Sequence, residues 1–195
     1  MPTITALRRA GSSIAVELDG APWRSVPVAV AAEASLHVGD ELDRHRAGAL
    51  AGALRRRRAE GVALRSLSRR EESRFTLSAR LARAGVAPAT RGEVLERAES
   101  AGLVDDERYA SLRARTLAER GFGDLYVLDD LRRQGIDEQQ ARAAVAALEP
   151  ERRRIEGCVA ARGATAKTLR FLAARGFTEE SLEALIAAVE TRALG

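Results

Sequence analysis

The stretch Leu131-Arg-Arg-Gln-Gly135-Ile136 decides the fold, because its pattern occurs three times in the chain. The same arrangement appears upstream as Leu81-Ala-Arg-Ala-Gly85-Val86 and downstream as Leu172-Ala-Ala-Arg-Gly176-Phe177. In each copy a leucine is followed four positions later by glycine and then by an apolar residue. Glycine at that position ends a helix by adopting a positive φ, and the next apolar residue folds back onto the helix. The pattern predicts three tight turns that each join two helices, and therefore a repeated architecture.

Capping signals on either side of the turns predict nine helices in three triplets. Ser73, Asp105 and Asp137 are placed to cap helix starts, and Pro88 suits the first position of a helix. The helices of the first triplet are predicted at 63–70, 73–84 and 88–100. Those of the second begin at Asp105, at Asp124 and after Asp137, and those of the third span 151–161, 165–174 and 178–192. The last helix carries an apolar stripe, formed by Leu182, Leu185, Ile186 and Val189.

The first thirty residues read differently from the rest. The segments 3–7 and 13–18 alternate apolar and polar residues, Asp19-Gly20 is a turn signal, and 23–26 reads as a returning strand. These features predict a small β-hairpin or a three-stranded sheet. A short helix is predicted at 28–34, and a longer one that starts at 38–40 and runs into Arg55–Arg58.

Together these patterns predict a mostly α-helical protein. We expect three tandem three-helix repeats in an elongated, curved array, preceded by the small β-containing region. The predicted boundaries place the β region and the long helix at 1–58 and the repeats at 59–102, 103–148 and 149–195.

Composition limits the class of protein. The chain has 195 residues, of which 46% are hydrophobic and 31% charged, as in soluble proteins. The longest apolar runs fall well short of the roughly 20 residues that cross a membrane, and we read no secretory signal at the start. A lone cysteine, Cys158, suits a reducing compartment. We therefore expect a cytoplasmic protein without a membrane partner.

The charge pattern suggests an anionic or acidic partner. Net charge is +4, and Lys167 is the one basic residue of 32 that is not arginine. A GC-rich coding bias would also favour arginine. By segment, residues 1–66 carry 10 basic and 7 acidic side chains, whereas 103–149 carry 7 and 10. This mixture suits a protein partner at least as well as naked DNA.

Four consecutive cations form the strongest candidate site. Cations at the end of a helix are favoured by its dipole, which is the structural alternative, but four in a row exceed what capping needs. On charge density we predict a surface that binds a partner or DNA, formed by Arg55, Arg56, Arg57, Arg58, Arg69 and Arg70.

Signs of catalysis are weak. Phosphate-binding, metalloprotease and nucleophile-elbow motifs do not occur. His37, His45 and Cys158 read as ordinary structural or surface residues. The run Asp105-Asp106-Glu107 is better explained by helix capping than by metal binding, and Asp129-Asp130, late in a helix, is either structural or a contact for a basic partner. We predict no enzyme activity and neither a cofactor nor a metal.

The central segment resembles a known family. Leu103-Val-Asp-Asp-Glu-Arg-Tyr109-Ala, followed by Gly121-Phe-Gly123 and the 131–136 stretch, resembles the central repeat of the RecX regulatory proteins. The stretch 63–86 is similar to the first repeat of that family, and 167–177 to its third. Three positions depart from the family pattern, namely Thr76, Asp124 and Leu128.

The resemblance implies a monomeric, non-enzymatic modulator of the RecA recombinase. Proteins of this family bind RecA, lie in the groove of its filament on single-stranded DNA, and inhibit strand exchange, ATP hydrolysis and the co-protease activity of the SOS response. Contact with single- or double-stranded DNA through arginine-rich faces is also implied. The alternative hypothesis is a standalone, non-specific nucleic-acid-binding protein.

Overall fold

The computed structural model describes the backbone of residues 1–193 and the side chains of residues 1–187. This part of the chain forms three β-strands followed by ten α-helices. The strands are β1 (Ile4–Ala10), β2 (Ser13–Leu18) and β3 (Ala21–Pro27). The helices are α1 (Val28–Glu33), α2 (Arg44–Leu67), α3 (Arg74–Arg83), α4 (Pro88–Ser100), α5 (Asp106–Glu119), α6 (Asp124–Arg133), α7 (Glu138–Ala146), α8 (Glu151–Arg162), α9 (Ala166–Ala173) and α10 (Glu179–Ala193). The predicted mostly helical fold with a small N-terminal β region is confirmed.

The three strands form one antiparallel sheet in the order β1-β2-β3. Leu7 pairs with Val16, and Ile14 pairs with Val26. Alternation along each strand turns the apolar residues to one face, where they pack against α1 and α2. The resulting core contains Ile4, Val16, Val26, Val30, Ala31, Leu50 and Ala53. Of the two predicted forms of this region, the three-stranded sheet is the one observed.

The long helix α2 corrects two predictions. It begins at Arg44 rather than at 38–40, because Asp43 caps it by accepting the N–H of Arg46 at 2.6 Å. Residues 38–40 form a turn instead, in which Gly39 has φ +93° and the carbonyl of Asp40 accepts the N–H of Ile4 at 2.9 Å. This pairing with the sheet draws the segment away from helix geometry.

The helix then continues without a break for 24 residues to Leu67. The separate helix predicted at 63–70 is therefore wrong. Gly61 weakens a helix interior by only about 1 kcal/mol, and buried small residues on both sides of it, Ala59 and Ala63, continue the stripe that holds α2 in place.

The chain divides into two compact units. The first contains Met1–Arg69 and Ala79–Ala98, and the second contains Arg70–Ser78 together with the described chain from Glu99 onward. The division of the chain into repeats at 59–102, 103–148 and 149–195 remains a prediction, and its first boundary lies within α2.

Within the second unit, two helix triplets each have their own core. The middle triplet, α5–α7, buries Ala110, Ala114, Leu117, Val127, Leu131, Ile136, Ala141 and Ala144. The last triplet, α8–α10, buries Ile155, Leu172, Phe177, Leu182 and Leu185. Ile186 packs against that core, and the predicted fourth residue of the stripe, Val189, lies outside the described side chains.

The three glycine turns form as predicted. Gly85, Gly135 and Gly176 have φ values of +76°, +78° and +76°. In the turn after α6, the N–H of Ile136 donates to the carbonyl of Leu131 at 3.1 Å, which is the hydrogen bond expected when an apolar residue folds back onto its helix.

The starts of α3 and α6 are held by equivalent acids. The N–H of Arg74, the first residue of α3, donates to Asp106 at 2.7 Å. The N–H of Asp124, the first residue of α6, donates to Glu151 at 2.5 Å. Asp106 and Glu151 are themselves the first residues of α5 and α8. In both cases an acid from the next triplet satisfies a backbone donor that the helix leaves without an internal partner.

A second pair of equivalent contacts joins the same helix starts to the glycine turns. The hydroxyl of Ser73 donates to the carbonyl of Gln134 at 2.6 Å. The N–H of Gly123 donates to the carbonyl of Arg175 at 2.9 Å. Ser73 and Gly123 are the residues immediately before α3 and α6. Each is hydrogen-bonded to the residue before a turn glycine, Ser73 through its side chain and Gly123 through its backbone.

The approach to the turns is close enough to exclude a side chain. A Cβ added to Gly135 would lie 2.2 Å from the Cβ of Phe75, and one added to Gly176 would lie 2.7 Å from the Cβ of Tyr126. Around Gly85, none of the described atoms lies within 4 Å of the position that a Cβ would take. Two of the three turn glycines are therefore required both by backbone conformation and by packing.

Candidate partner-binding surface

The four consecutive arginines on α2 form two pairs with different surroundings. Successive helical residues point about 100° apart, so their side chains reach different neighbours. Arg56 contacts Glu33 at 2.8 Å and Glu93 at 3.5 Å, and its hydrogen bond to Glu33 raises the pKa of its guanidinium. Arg57 lies 3.7 Å from Glu60. These two arginines therefore have acidic partners inside the first compact unit.

Arg55 and Arg58 are the other half of the run. Both side chains are exposed, and no ion pair joins either of them to an acid in the part of the chain that the structure describes. They lie one helical turn apart and line a cleft of about 270 Å³ between α2 and the turn that joins α3 to α4. The remaining lining residues are Ala59, Val62, Ala84, Gly85, Val86, Ala87 and Thr90.

The other two predicted site residues differ from each other. Arg69 is exposed and belongs to the first compact unit. Arg70 belongs to the second, where its Nε donates to the buried carboxylate of Glu72 at 3.1 Å. Arg70 therefore has a structural partner, although 66% of its side chain is exposed.

Arg70 also lines a larger cleft, of about 450 Å³, that the sequence did not predict. Arg113 crosses it and makes two hydrogen bonds to Asp130, at 2.8 and 2.9 Å. The hydroxyl of Tyr109 donates to Gln134 at 3.4 Å, and burial raises the pKa of that hydroxyl. The other lining residues are Glu71, Glu72, Thr76, Leu112 and Thr116. One residue in the sequence could have pointed to this cleft. Asp130 is an acid late in α6, where the helix dipole disfavours a negative charge.

The acids considered as alternatives have partners within the chain. Asp130 is only 6% exposed and is held by Arg113, which supports the structural alternative for it. Asp129 pairs with Arg133 at 3.0 Å. Asp105 caps α5 by accepting the N–H of Arg108 at 2.9 Å, as predicted.

Among the described residues, no cluster of three or more acids, histidines or cysteines could hold a metal ion. Cys158 packs against the core of the last triplet. His37 is exposed, with its Nδ1 3.9 Å from Asp40. Within the same described part of the chain, each helix is either too short or too polar to cross a membrane.

Comparison with known proteins agrees with this geometry. Residues 105–145, which form α5, α6 and nearly all of α7, match the family described as RecX, second three-helix domain. A regulatory protein RecX from Halorhodospira halophila is 37% identical over 139 residues, which cover 66% of this chain and 86% of that protein. The chain belongs to the RecX family. A RecX from Acidithiobacillus ferrooxidans is 35% identical over 141 residues, covering 67% of this chain and 90% of the relative.

RecX structures also share the fold. A crystal structure of regulatory protein RecX superimposes with a TM-score of 0.80 at 21% identity, covering 96% of this chain and 100% of that one. RecX from Lactobacillus salivarius gives a TM-score of 0.61 at 18% identity, over 71% and 99% of the two chains.

The three departures from the usual RecX pattern all have structural partners here. Thr76 donates its N–H to the hydroxyl of Ser73 at 3.2 Å, so the serine cap of α3 forms with threonine at this position. The carboxylate of Asp124 contacts Arg154. Leu128 packs against the core of the middle triplet. All three side chains are partly buried and have contacts within the second compact unit.

Proposed function

We propose that this RecX binds the RecA recombinase and its nucleoprotein filament and mainly inhibits recombination, ATP hydrolysis and the SOS co-protease activity. Membership of the RecX family, whose relatives carry the name regulatory protein, supports this role. The observation in the structure that carries it is the pair Arg55 and Arg58. Both are exposed cations that line a cleft, and neither forms an ion pair with an acid among the described residues. Such a role places the protein in the cytoplasm and needs no cofactor.

The arrangement suits a binding protein that acts by contact. Arginines whose charge is not neutralised within their own chain attract carboxylates or phosphates of a partner, and a planar guanidinium can bind either in a bidentate manner. The helix triplets, and the hydrogen bonds that connect them, would hold such residues at fixed positions. A monomer could then contact its partner at several points. We propose three repeats, at 59–102, 103–148 and 149–195, which would present further exposed arginines, whereas Arg55 and Arg58 lie just before the first repeat.

The test is a titration of RecX against its cognate RecA on single-stranded DNA, with ATP hydrolysis as the readout. We expect hydrolysis to slow at RecX concentrations well below that of RecA. The double variant Arg55→Gln/Arg58→Gln should inhibit less. Arg65→Gln, which removes an exposed cation of the same helix outside the cleft, should inhibit as the wild type does. Unchanged hydrolysis up to equal concentrations of the two proteins would contradict the proposal.

A second candidate function is direct binding of nucleic acid. Trp23 is 37% exposed on β3, and the guanidinium of Arg24 lies 4.5 Å from the centre of its ring. An exposed aromatic ring beside an arginine is typical of surfaces on which single-stranded bases stack. Fluorescence anisotropy with a labelled oligothymidine tests this function without RecA. Binding that is strong, steeply salt-dependent and weakened in Trp23→Ala would support it, whereas no binding at physiological salt would exclude it.

A further inference from the structure

We propose that the cleft between α2 and the α3–α4 turn binds a short acidic peptide segment that carries an aliphatic side chain. The cleft lies wholly within the first compact unit, with Arg55 and Arg58 on one side and the Gly85 turn on the other. The proposed function enters only in one respect: it names RecA as the protein that would supply the peptide segment.

The cations provide the acidic preference. Arg56 and Arg57, which come from the same run, are bound to Glu33, Glu93 and Glu60. The charge on Arg55 and Arg58 has no such compensation among the described residues. Residues three apart on a helix lie about 5–6 Å from each other, and alternate residues of an extended peptide lie roughly 7 Å apart. Two carboxylates of one extended segment could thus reach the two guanidinium groups.

The apolar part of the cleft lining provides the aliphatic preference. It is formed by small and branched apolar side chains, namely Ala59, Val62, Ala84, Val86 and Ala87. Arginine side chains add their own apolar stems to such a surface. In an extended segment the side chain between the two acids points the opposite way from them, toward Ala84, Val86 and Ala87 on the turn side of the cleft. Its removal from water would add to the electrostatic attraction.

The same lining argues against single-stranded nucleic acid as the occupant. Proteins that bind single strands combine cations with aromatic rings on which the bases stack. The cleft is lined by aliphatic residues, two arginines, a glycine and Thr90, and none of the described residues that line it is aromatic. A polyanion could still be attracted by the charge, so an oligonucleotide belongs in the test as a competitor.

The experiment uses the full chain alone and a fluorescein-labelled peptide of alternating acidic residues and leucine. We expect saturable binding by the wild type and a loss of about tenfold or more in affinity, or about 1.4 kcal/mol, in Arg55→Gln/Arg58→Gln. Thr90→Glu should weaken binding similarly, because it places a carboxylate at the cleft, where it would repel the acidic peptide. The variant should still fold, because an acid in the first turn of a helix is stabilised by the helix dipole. Arg65→Gln is the matched control, because Arg65 is exposed on the same helix outside the cleft, and it should bind within about twofold of the wild type. Circular dichroism and thermal unfolding check that each variant is folded.

Several outcomes would overturn the inference: a peptide with amides in place of its acids binds equally well, the variants bind like the wild type, or oligothymidine displaces the peptide more effectively than unlabelled peptide does. The result is separable from the proposed function. Inhibition of RecA without peptide binding would reject the inference alone, and peptide binding without any effect on RecA would reject the proposed function alone.

Discussion

Asp106 and Glu151 hold equivalent positions in successive helix triplets, and each accepts the first backbone N–H of an earlier helix. Their pKa values are shifted in opposite directions. Burial raises the pKa of Asp106, and one backbone N–H does not reverse this. Burial would also raise the pKa of Glu151, but hydrogen bonds from Asp124 and Thr178 outweigh it, and the pKa is lowered. The contact between the start of α6 in the middle triplet and the start of α8 in the last triplet therefore depends on the charged carboxylate of Glu151.

Replacing Glu151 with glutamine should destabilise the protein strongly. One carboxylate oxygen accepts the N–H of Asp124, and the other accepts the N–H and the hydroxyl of Thr178, at 3.0 and 2.6 Å. The amide of glutamine would turn donors toward one of these groups. We expect a loss of about 2–3 kcal/mol in the free energy of unfolding, measured by urea denaturation. Glu149→Gln, at an exposed neighbouring position, is the control. A loss as small as that of the control would show that the hydrogen bonds of Glu151 contribute little.

The pH dependence of this effect has a definite sign. The folded-state pKa of Glu151 lies below its usual value of 4.5, so its stabilisation is complete above that pH and is lost as pH falls through the folded value. The difference in unfolding free energy between the wild type and Glu151→Gln should be largest near neutral pH and shrink in acid. Asp106 and Asp124 have the opposite sign: their pKa values are raised above 3.8, so their contribution favours the folded state below 3.8 and is lost as pH rises. Urea titrations across this range measure the effect. A difference that stays constant from neutral pH into acid would contradict the assignment.

Alanine at the turn glycines should separate backbone conformation from packing. Gly85→Ala meets only the strain of a positive φ, about 1–2 kcal/mol. Gly135→Ala meets the same strain and also the Cβ of Phe75, which should add about 1–3 kcal/mol. Thermal and urea unfolding of the two variants provide the comparison, with Gly85→Ala as the reference. Equal losses would mean that the start of α3 moves away from the turn at little cost.

The pair formed by Arg113 and Asp130 should be strongly coupled. The Asp130 side chain is 8% exposed and that of Arg113 is 35% exposed. Arg113→Ala leaves a buried carboxylate without its partner and should cost about 3 kcal/mol, whereas Arg113→Ala/Asp130→Ala should cost less than the sum of the single losses. A double-mutant cycle measured by urea unfolding tests this. Strict additivity would show that the two side chains do not stabilise each other.

The two halves of the arginine run should respond differently to substitution. Arg56→Gln removes contacts to Glu33 and Glu93 and should lower stability by about 1 kcal/mol, since its side chain is 25% exposed. Arg58→Gln should change stability by less than about 0.5 kcal/mol. Chemical denaturation of both variants tests the difference. An equal loss in the two would indicate that Arg58 has a structural role as well.

Local signals in the sequence predicted most of the helix boundaries. A turn glycine, a capping serine such as Ser73 or a capping aspartate such as Asp105 acts on its own few neighbours, so its effect can be read from adjacent residues. The course of α2 could not be read in this way. Its start depends on the pairing of Asp40 with the sheet, and its continuation past Gly61 depends on packing.

The candidate site was predicted less completely for the same reason. Charge density identified Arg55–Arg58, but the partners of Arg56 are Glu33 and Glu93, which lie 23 and 37 residues away along the chain. The roles of Asp106 and Glu151 could not be predicted either, because each acts on a backbone group in another triplet. Contacts of this kind become visible only when the elements are assembled.

The hydrogen bond from Ser73 to Gln134 spans 61 residues, and this has a consequence for synthesis on the ribosome. The start of α3 emerges early, but its acceptor is made only when the α6–α7 turn has been translated, and the start of α6 waits in turn for Glu151 and Arg175. A nascent chain that ends before the turn cannot make this hydrogen bond to the start of α3. We therefore expect the backbone amides at the starts of α3 and α6 to become protected from hydrogen exchange late during synthesis. Each start would become protected only after the following triplet has been translated.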